Sequence, residues 1–167
     1  MNYHNIKTDD MLNGDGLRVT CWVSGCNVRC PNCYNPQTWD FDSGIPFTET
    51  TMQEIISELA KPYIKGLTLS GGHPLELQNI SKVLDIIKRV KTTFPNKDIW
   101  VYSGFRYEYI VKDSTLQEVL KYIDVIVDGM YIDKMKDINL HFRGSRNQRL
   151  IDVQQSLAKN EIILWKE

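Results

Sequence analysis

Apolar positions along this chain fall into short runs separated by longer stretches of helical spacing. LRVTCWVS at 17–24 is rich in β-branched and aromatic residues and follows a turn sequence, which predicts a strand. From Thr48 to Tyr63, Met52, Ile55, Ile56, Leu59, Ala60 and Tyr63 recur at helical spacing, and Thr48 or Thr50 is placed to cap that helix. GLTLSGG at 66–72 reads as a short strand ending in paired glycines. Leu77, Ile80, Val83, Leu84, Ile87, Val90 and Phe94 form the apolar stripe of a second helix, stopped by Pro95 and Asn96. DIWVYSG at 98–104 and DVIVDG at 124–129 are further strands, with a short helix over Leu116, Val119, Leu120 and Ile123 between them. RGSRNQR at 143–149 is a polar loop, and LIDV and IILW near the end are predicted strands.

Strands and helices alternate, and the strands look like apolar runs rather than alternating ones. That pattern predicts an α/β fold with a mostly parallel sheet covered by helices. Such sheets bind ligands at the C-terminal ends of their strands. Four strand ends carry candidate chemistry: the cysteine-rich loop after the first strand, Gly71 and Gly72 after the second, Ser103 and Gly104 after the third, and Asp128 and Gly129 after the fourth.

Composition narrows the class. The 167 residues suit one domain over 1–167, with 42% hydrophobic and 25% charged residues, as in globular proteins. A net charge of -1 gives no reason to expect a nucleic-acid partner. No apolar run approaches the ~18 residues of a membrane span, and MNYHNIKTDD lacks the apolar core of a secretory signal. A cytoplasmic location is expected, where clustered cysteines act as metal or redox ligands rather than cross-links.

The cysteines are spaced C-x3-C-x2-C at Cys26, Cys30 and Cys33, with Cys21 upstream inside the first strand. Thiolates select soft centres, zinc or an iron–sulfur cluster. A structural zinc site needs four ligands and would have to recruit Cys21. A 4Fe–4S cluster held by three cysteines would leave one iron open to a substrate. Asn13-Gly14-Asp15-Gly16 leads into a strand rather than a helix, so it is a turn placing Arg18 and not a phosphate loop.

The cysteine triplet resembles that of the radical S-adenosylmethionine superfamily. More narrowly, NGDGLRV at 13–19, CYN at 33–35, LTLSGGHPL at 67–75, DIWVYSGF at 98–105, DVIVDGMY at 124–131 and RGSRNQR at 143–149 resemble the activating-protein family of anaerobic (class III) ribonucleoside-triphosphate reductases. The likeness runs from about Tyr3 to Val153. It implies a 4Fe–4S cluster on Cys26, Cys30 and Cys33 and reductive cleavage of S-adenosylmethionine to methionine and a 5′-deoxyadenosyl radical. That radical would take hydrogen from a glycine of the reductase, and reduced flavodoxin would be the electron donor. A different glycyl-radical partner, such as pyruvate formate-lyase, and a zinc-stapled binding module are the alternatives.

The resemblance also implies contacts to S-adenosylmethionine. Gly71 and Gly72 let backbone approach the methionine ammonium and carboxylate. Asn32 and Tyr34 flank Cys33 toward the adenine, and Ser103 and Asp128 reach toward the ribose. Arg143, Arg146 and Arg149 are candidates for carboxylates of the ligand or partner. One position departs from the family: His73 stands where an acidic residue usually follows the paired glycines. A neutral imidazole accepts a hydrogen bond without adding charge, and Glu76 is the nearest carboxylate able to replace it. The short chain cannot supply the ~250 residues of a complete eight-stranded barrel. Four or five strands forming a partial (β/α) barrel, open on one side, are therefore expected.

Overall fold

The computed structural model describes residues 1–166. Seven strands form one sheet in the order β3-β1-β2-β4-β5-β6-β7. Its centre consists of β2 (Arg18–Val23), β4 (Gly66–Gly71), β5 (Asp98–Tyr102) and β6 (Val125–Asp128), all parallel. The flanks are antiparallel: β1 (Asn2–Asp10) and the short β3 (Ile45–Pro46) on one side, β7 (Arg149–Asp152) on the other. The sheet does not close into a barrel, which agrees with the expected open, mostly parallel α/β fold.

The crossovers are α1 (Glu49–Leu59), α2 (Leu77–Thr93), the single turn α3 (Tyr107–Ile110) and α4 (Ser114–Leu120), with α5 (Val153–Lys159) following β7. Thr48 caps α1: its hydroxyl accepts the Thr51 N–H, and the Thr51 hydroxyl accepts the Thr48 N–H. Met52, Ile55 and Leu59 of α1 and Ile80, Val83, Ile87 and Val90 of α2 are buried at the predicted spacing. Tyr63 and Leu77, counted in those stripes from the sequence, are exposed instead; Tyr63 lies past the end of α1 and Leu77 opens α2.

The strands are two-faced, which corrects the expectation of uniform apolar runs. Val19, Cys21 and Val23 of β2, Leu67 and Leu69 of β4, and Ile99 and Val101 of β5 join the helix residues in the main core. The residues between them, Arg18, Thr20, Trp22, Thr68, Ser70, Trp100 and Tyr102, point to the opposite face, because neighbouring strand residues alternate. Toward β6 and β7 that second face is covered by a smaller cluster of Trp100, Val125, Val127 and Leu150 with Phe142 and Trp165. Toward β2 and β4 it is polar. Arg18 is fully buried there, 2.6 Å from Asp98, and donates to Thr68, to the Leu67 carbonyl and to the Asp15 carbonyl. Its guanidinium also lies over the Trp100 ring at 5.2 Å. The 13–16 turn therefore does place Arg18.

Four of the named elements have no counterpart in the reading of the pattern. β1, β3, α3 and α5 are short or mixed in polarity, so neither period stands out, and the strand count rises from the expected four or five to seven. IILW makes only an isolated bridge between Leu164 and Ile151 rather than a strand, while LIDV falls on β7 and the start of α5. No helix among the described residues is long and apolar enough to cross a membrane.

Candidate iron–sulfur site

A cavity of about 650 Å³ opens on the second face of the sheet, at the C-terminal ends of the parallel strands. Its floor includes Trp22, Ser70 and Tyr102, the last inward-facing residues of β2, β4 and β5. The loop after β2 brings Cys26, Cys30 and Cys33 to the cavity wall together. Cys26 and Cys30 are buried and Cys33 is half-buried, and all three are free thiols. The loop achieves this with a turn in which the Cys33 N–H donates to the Cys30 carbonyl. Arg29 and Asn32 stand at φ +45° and +57°, a left-handed conformation that is unfavourable for side chains other than glycine.

Burial pushes the thiols of Cys26 and Cys30 up, while backbone N–H groups of Arg29 and Val28 and of Tyr131 oppose it. The Asn35 N–H donates to Cys33 Sγ at 3.3 Å. Amides aimed at sulfur stabilise thiolate and the charge of a thiolate-bound centre. Cys21 has no part in this. It is wholly buried on the helix-facing side of β2, where its thiol is pushed up to about 12 by desolvation. A zinc site using Cys21 as its fourth ligand is therefore ruled out by geometry. Three thiols on a cavity wall, with amides supporting them, fit a 4Fe–4S cluster with one open iron.

The glycine turn lies across from this loop. The Gly72 N–H donates to the Val23 carbonyl and the His73 N–H to the Gly25 carbonyl, which ties the end of β4 to the start of the cysteine loop. A Cβ at Gly72 would stand 2.6 Å from the Gly25 oxygen, and Gly71 has φ +96° with β2 backbone 2.8 Å from any added Cβ. Both positions line the cavity. His73 lies there too, but both of its ring nitrogens are already engaged, with Glu76 at 3.2 Å and Ser103 at 3.0 Å. Glu76 does not take the place of the missing acidic side chain directly. Burial pushes its carboxyl up, but hydrogen bonds from His73 and Asn27 outweigh that and hold it below the usual carboxylate range.

The remaining candidates divide. Ser103 and Tyr34 line the cavity, Tyr34 at its mouth, 59% exposed, with its ring 5.2 Å from that of Tyr131 and Lys136 above it. Asn32 does not line the cavity; its side chain donates to Asp133, which also accepts the Tyr131 hydroxyl. Asp128 is a correction to its expected place at the ribose. Its carboxylate is wholly buried and accepts from Arg149 and from the Tyr107 N–H, outside the cavity lining. The three arginines of the polar loop are likewise split. Arg143 lines the cavity, Arg146 lines a separate open groove with Arg106 and Lys112, and Arg149 is tied to Asp128 and Glu108. Trp39 and Tyr131 line the cavity without having been picked out from the sequence, since single aromatics in loops carry no period.

An open α/β sheet with three thiols lining one cavity at its strand ends fits the class of iron–sulfur proteins. A family described as a 4Fe-4S single cluster domain matches residues 12–151. The chain is 45% identical over 150 residues to the anaerobic ribonucleoside-triphosphate reductase-activating protein of enterobacteria phage T4, covering 90% of this chain and 93% of the relative. The proteins of that name from Vibrio cholerae and Escherichia coli K12 are 45% and 42% identical, each match covering 89% of this chain and 96% of the relative. The chain belongs to the family of anaerobic ribonucleoside-triphosphate reductase-activating proteins.

Proposed function

We propose that this chain activates an anaerobic ribonucleoside-triphosphate reductase by generating a radical from S-adenosylmethionine, with Cys26, Cys30 and Cys33 as the cluster ligands. Held there, the cluster would supply the electron for reductive cleavage of S-adenosylmethionine to methionine and a 5′-deoxyadenosyl radical, and that radical would take hydrogen from a glycine of the reductase. The observation that carries this reading is the shared cavity: three thiols and the Gly71–Gly72 turn line one space, with the fourth cysteine excluded from it.

The chain's own residues do the positioning. Gly71 and Gly72 bring backbone against the ligand with no Cβ between. Tyr34, paired with Tyr131, offers an aromatic face at the mouth where the adenine is held. Trp22 and Tyr102 give the floor bulky walls that keep water from a reactive carbon radical. The open side of the sheet admits a macromolecular substrate. Reduced flavodoxin in the cytoplasm is the electron donor in this reading.

Anaerobic reconstitution with iron and sulfide, followed by strong reductant and S-adenosylmethionine, tests it. The expected results are 5′-deoxyadenosine from the chain alone and, with the reductase added, a glycyl-radical signal by electron paramagnetic resonance. A reconstituted protein that yields no cleaved nucleoside refutes the reading.

A further inference from the structure

A buried hydrogen-bonded row, whose role the cluster ligands do not explain, runs back from the cavity wall at Ser103 and His73 to Glu76 behind it. Glu76, His73 and Ser103 are 6%, 1% and 3% exposed. Glu76 Oε1 stands 3.2 Å from His73 Nδ1, and His73 Nε2 stands 3.0 Å from Ser103 Oγ. The Phe105 ring meets the imidazole edge-on at 4.2 Å and fixes its plane.

With His73 neutral, the protons of this row have one arrangement. Both carboxylate oxygens of Glu76 already accept, one from the Asn27 N–H at 2.8 Å and one from the Asn27 side-chain amide at 3.0 Å. A group that only accepts requires the imidazole proton on Nδ1. Nε2 then carries the lone pair, and Ser103 donates its hydroxyl proton to it. Ser103 Oγ also accepts the Phe105 N–H at 3.0 Å. A hydroxyl oxygen has two lone pairs, so one is left, on a residue that lines the cavity.

We propose that Ser103 Oγ is the acceptor for the α-ammonium of S-adenosylmethionine, and that His73 and Glu76 are positioning residues that keep the Ser103 proton turned away from the ligand. The inference rests on the function proposed above and names the recognition at that same site. The carboxylate that is missing next to the paired glycines is present two hydrogen bonds further back. An ammonium meets a lone pair backed by a buried negative charge, where the reverse arrangement would set donor against donor.

Anaerobic calorimetry of the cluster-loaded protein tests it with S-adenosylmethionine, its analogue lacking the amino group, and its 2′-deoxyribose analogue. Wild type favours S-adenosylmethionine over the deamino analogue. Ser103→Ala reduces that preference by about 10- to 100-fold, the usual worth of a hydrogen bond to a charged group, and Ser103→Thr, which keeps the hydroxyl, retains it. Glu76→Gln keeps an acceptor at Nδ1, because its amide oxygen must also take the Asn27 N–H that donates to Oε1, but it removes the charge behind the row and weakens the preference. The double variant Ser103→Ala/Glu76→Gln is no weaker than Ser103→Ala, because the two act through one atom. Nitrogen-15 resonances of the three histidines provide a readout that is separate from binding. His73 is the Nδ1–H tautomer in wild type and stays so in Glu76→Gln, whose amide oxygen still accepts from it. Retention of the ammonium preference in Ser103→Ala, discrimination against the 2′-deoxy analogue in its place, or an Nε2–H or doubly protonated His73 in wild type overturns the inference while the proposed function stands. Failure of the cluster-loaded wild type to bind S-adenosylmethionine at all overturns both.

Discussion

Gly71→Ala gives the sharpest test of how the site is built. Gly71 ends β4 at φ +96°, and an added Cβ would lie 2.8 Å from the Trp22 Cα, the Trp22 carbonyl carbon and the Val23 nitrogen. These atoms are backbone of β2, paired in register with β4 through Val23 and Gly71, so no side-chain rotation relieves the clash. The left-handed conformation costs an alanine about 1–2 kcal/mol. Forced overlap in a packed interior adds about 1–3 kcal/mol. The sum, about 2–5 kcal/mol, is a large part of the 5–15 kcal/mol that holds a domain together. In a chain of this size each kcal/mol moves the Tm by about 2–4 °C, so a fall of about 4–20 °C is expected. Circular dichroism melts of the anaerobically purified variant measure it. Iron retention should fall in parallel, because the same contact spaces the glycine turn from the strand that leads into the cysteine loop. A Tm within about 2 °C of wild type would refute the argument that β2 backbone blocks this position.

Two further outcomes follow from the placement of single groups. Cys21→Ala should leave reconstituted iron and sulfide at wild-type content and destabilise the chain by about 1 kcal/mol, whereas alanine at Cys26, Cys30 or Cys33 should abolish cluster retention; iron loss in Cys21→Ala would restore a four-thiol centre. The Glu108 carboxyl is held at about 2 against an ordinary 4.5, chiefly by its hydrogen bonds to Arg149. A lowered carboxyl contributes stability above its unfolded value and loses it as pH falls toward the folded value. Glu108→Gln should therefore flatten the slope of stability against pH between about 4.5 and 2, measured by urea unfolding at several pH values, and an unchanged slope would contradict the pairing.

The sequence by itself determined the order of the central elements and which three cysteines share one loop. The runs at 17–24, 66–72, 98–104 and 124–129 all became central parallel strands, because burying them requires residues whose apolar character is visible locally. The C-x3-C-x2-C spacing is local too, since a single loop brings its thiols together. Only the tertiary structure decided which face each strand residue takes. LRVTCWV looks uniformly apolar until Arg18, Thr20 and Trp22 are seen on the face opposite Val19, Cys21 and Val23, and that alternation alone removes Cys21 from the site. Contacts between distant segments were equally invisible. Asp128 looked like a ligand contact at a strand end until Arg149 and Tyr107 enclosed it, and nothing near His73 in the sequence pointed to Ser103 at its second ring nitrogen. Hydrogen-bond partners 20 to 30 residues apart are set by how strands and loops pack, and nothing in the local pattern of a sequence encodes that packing.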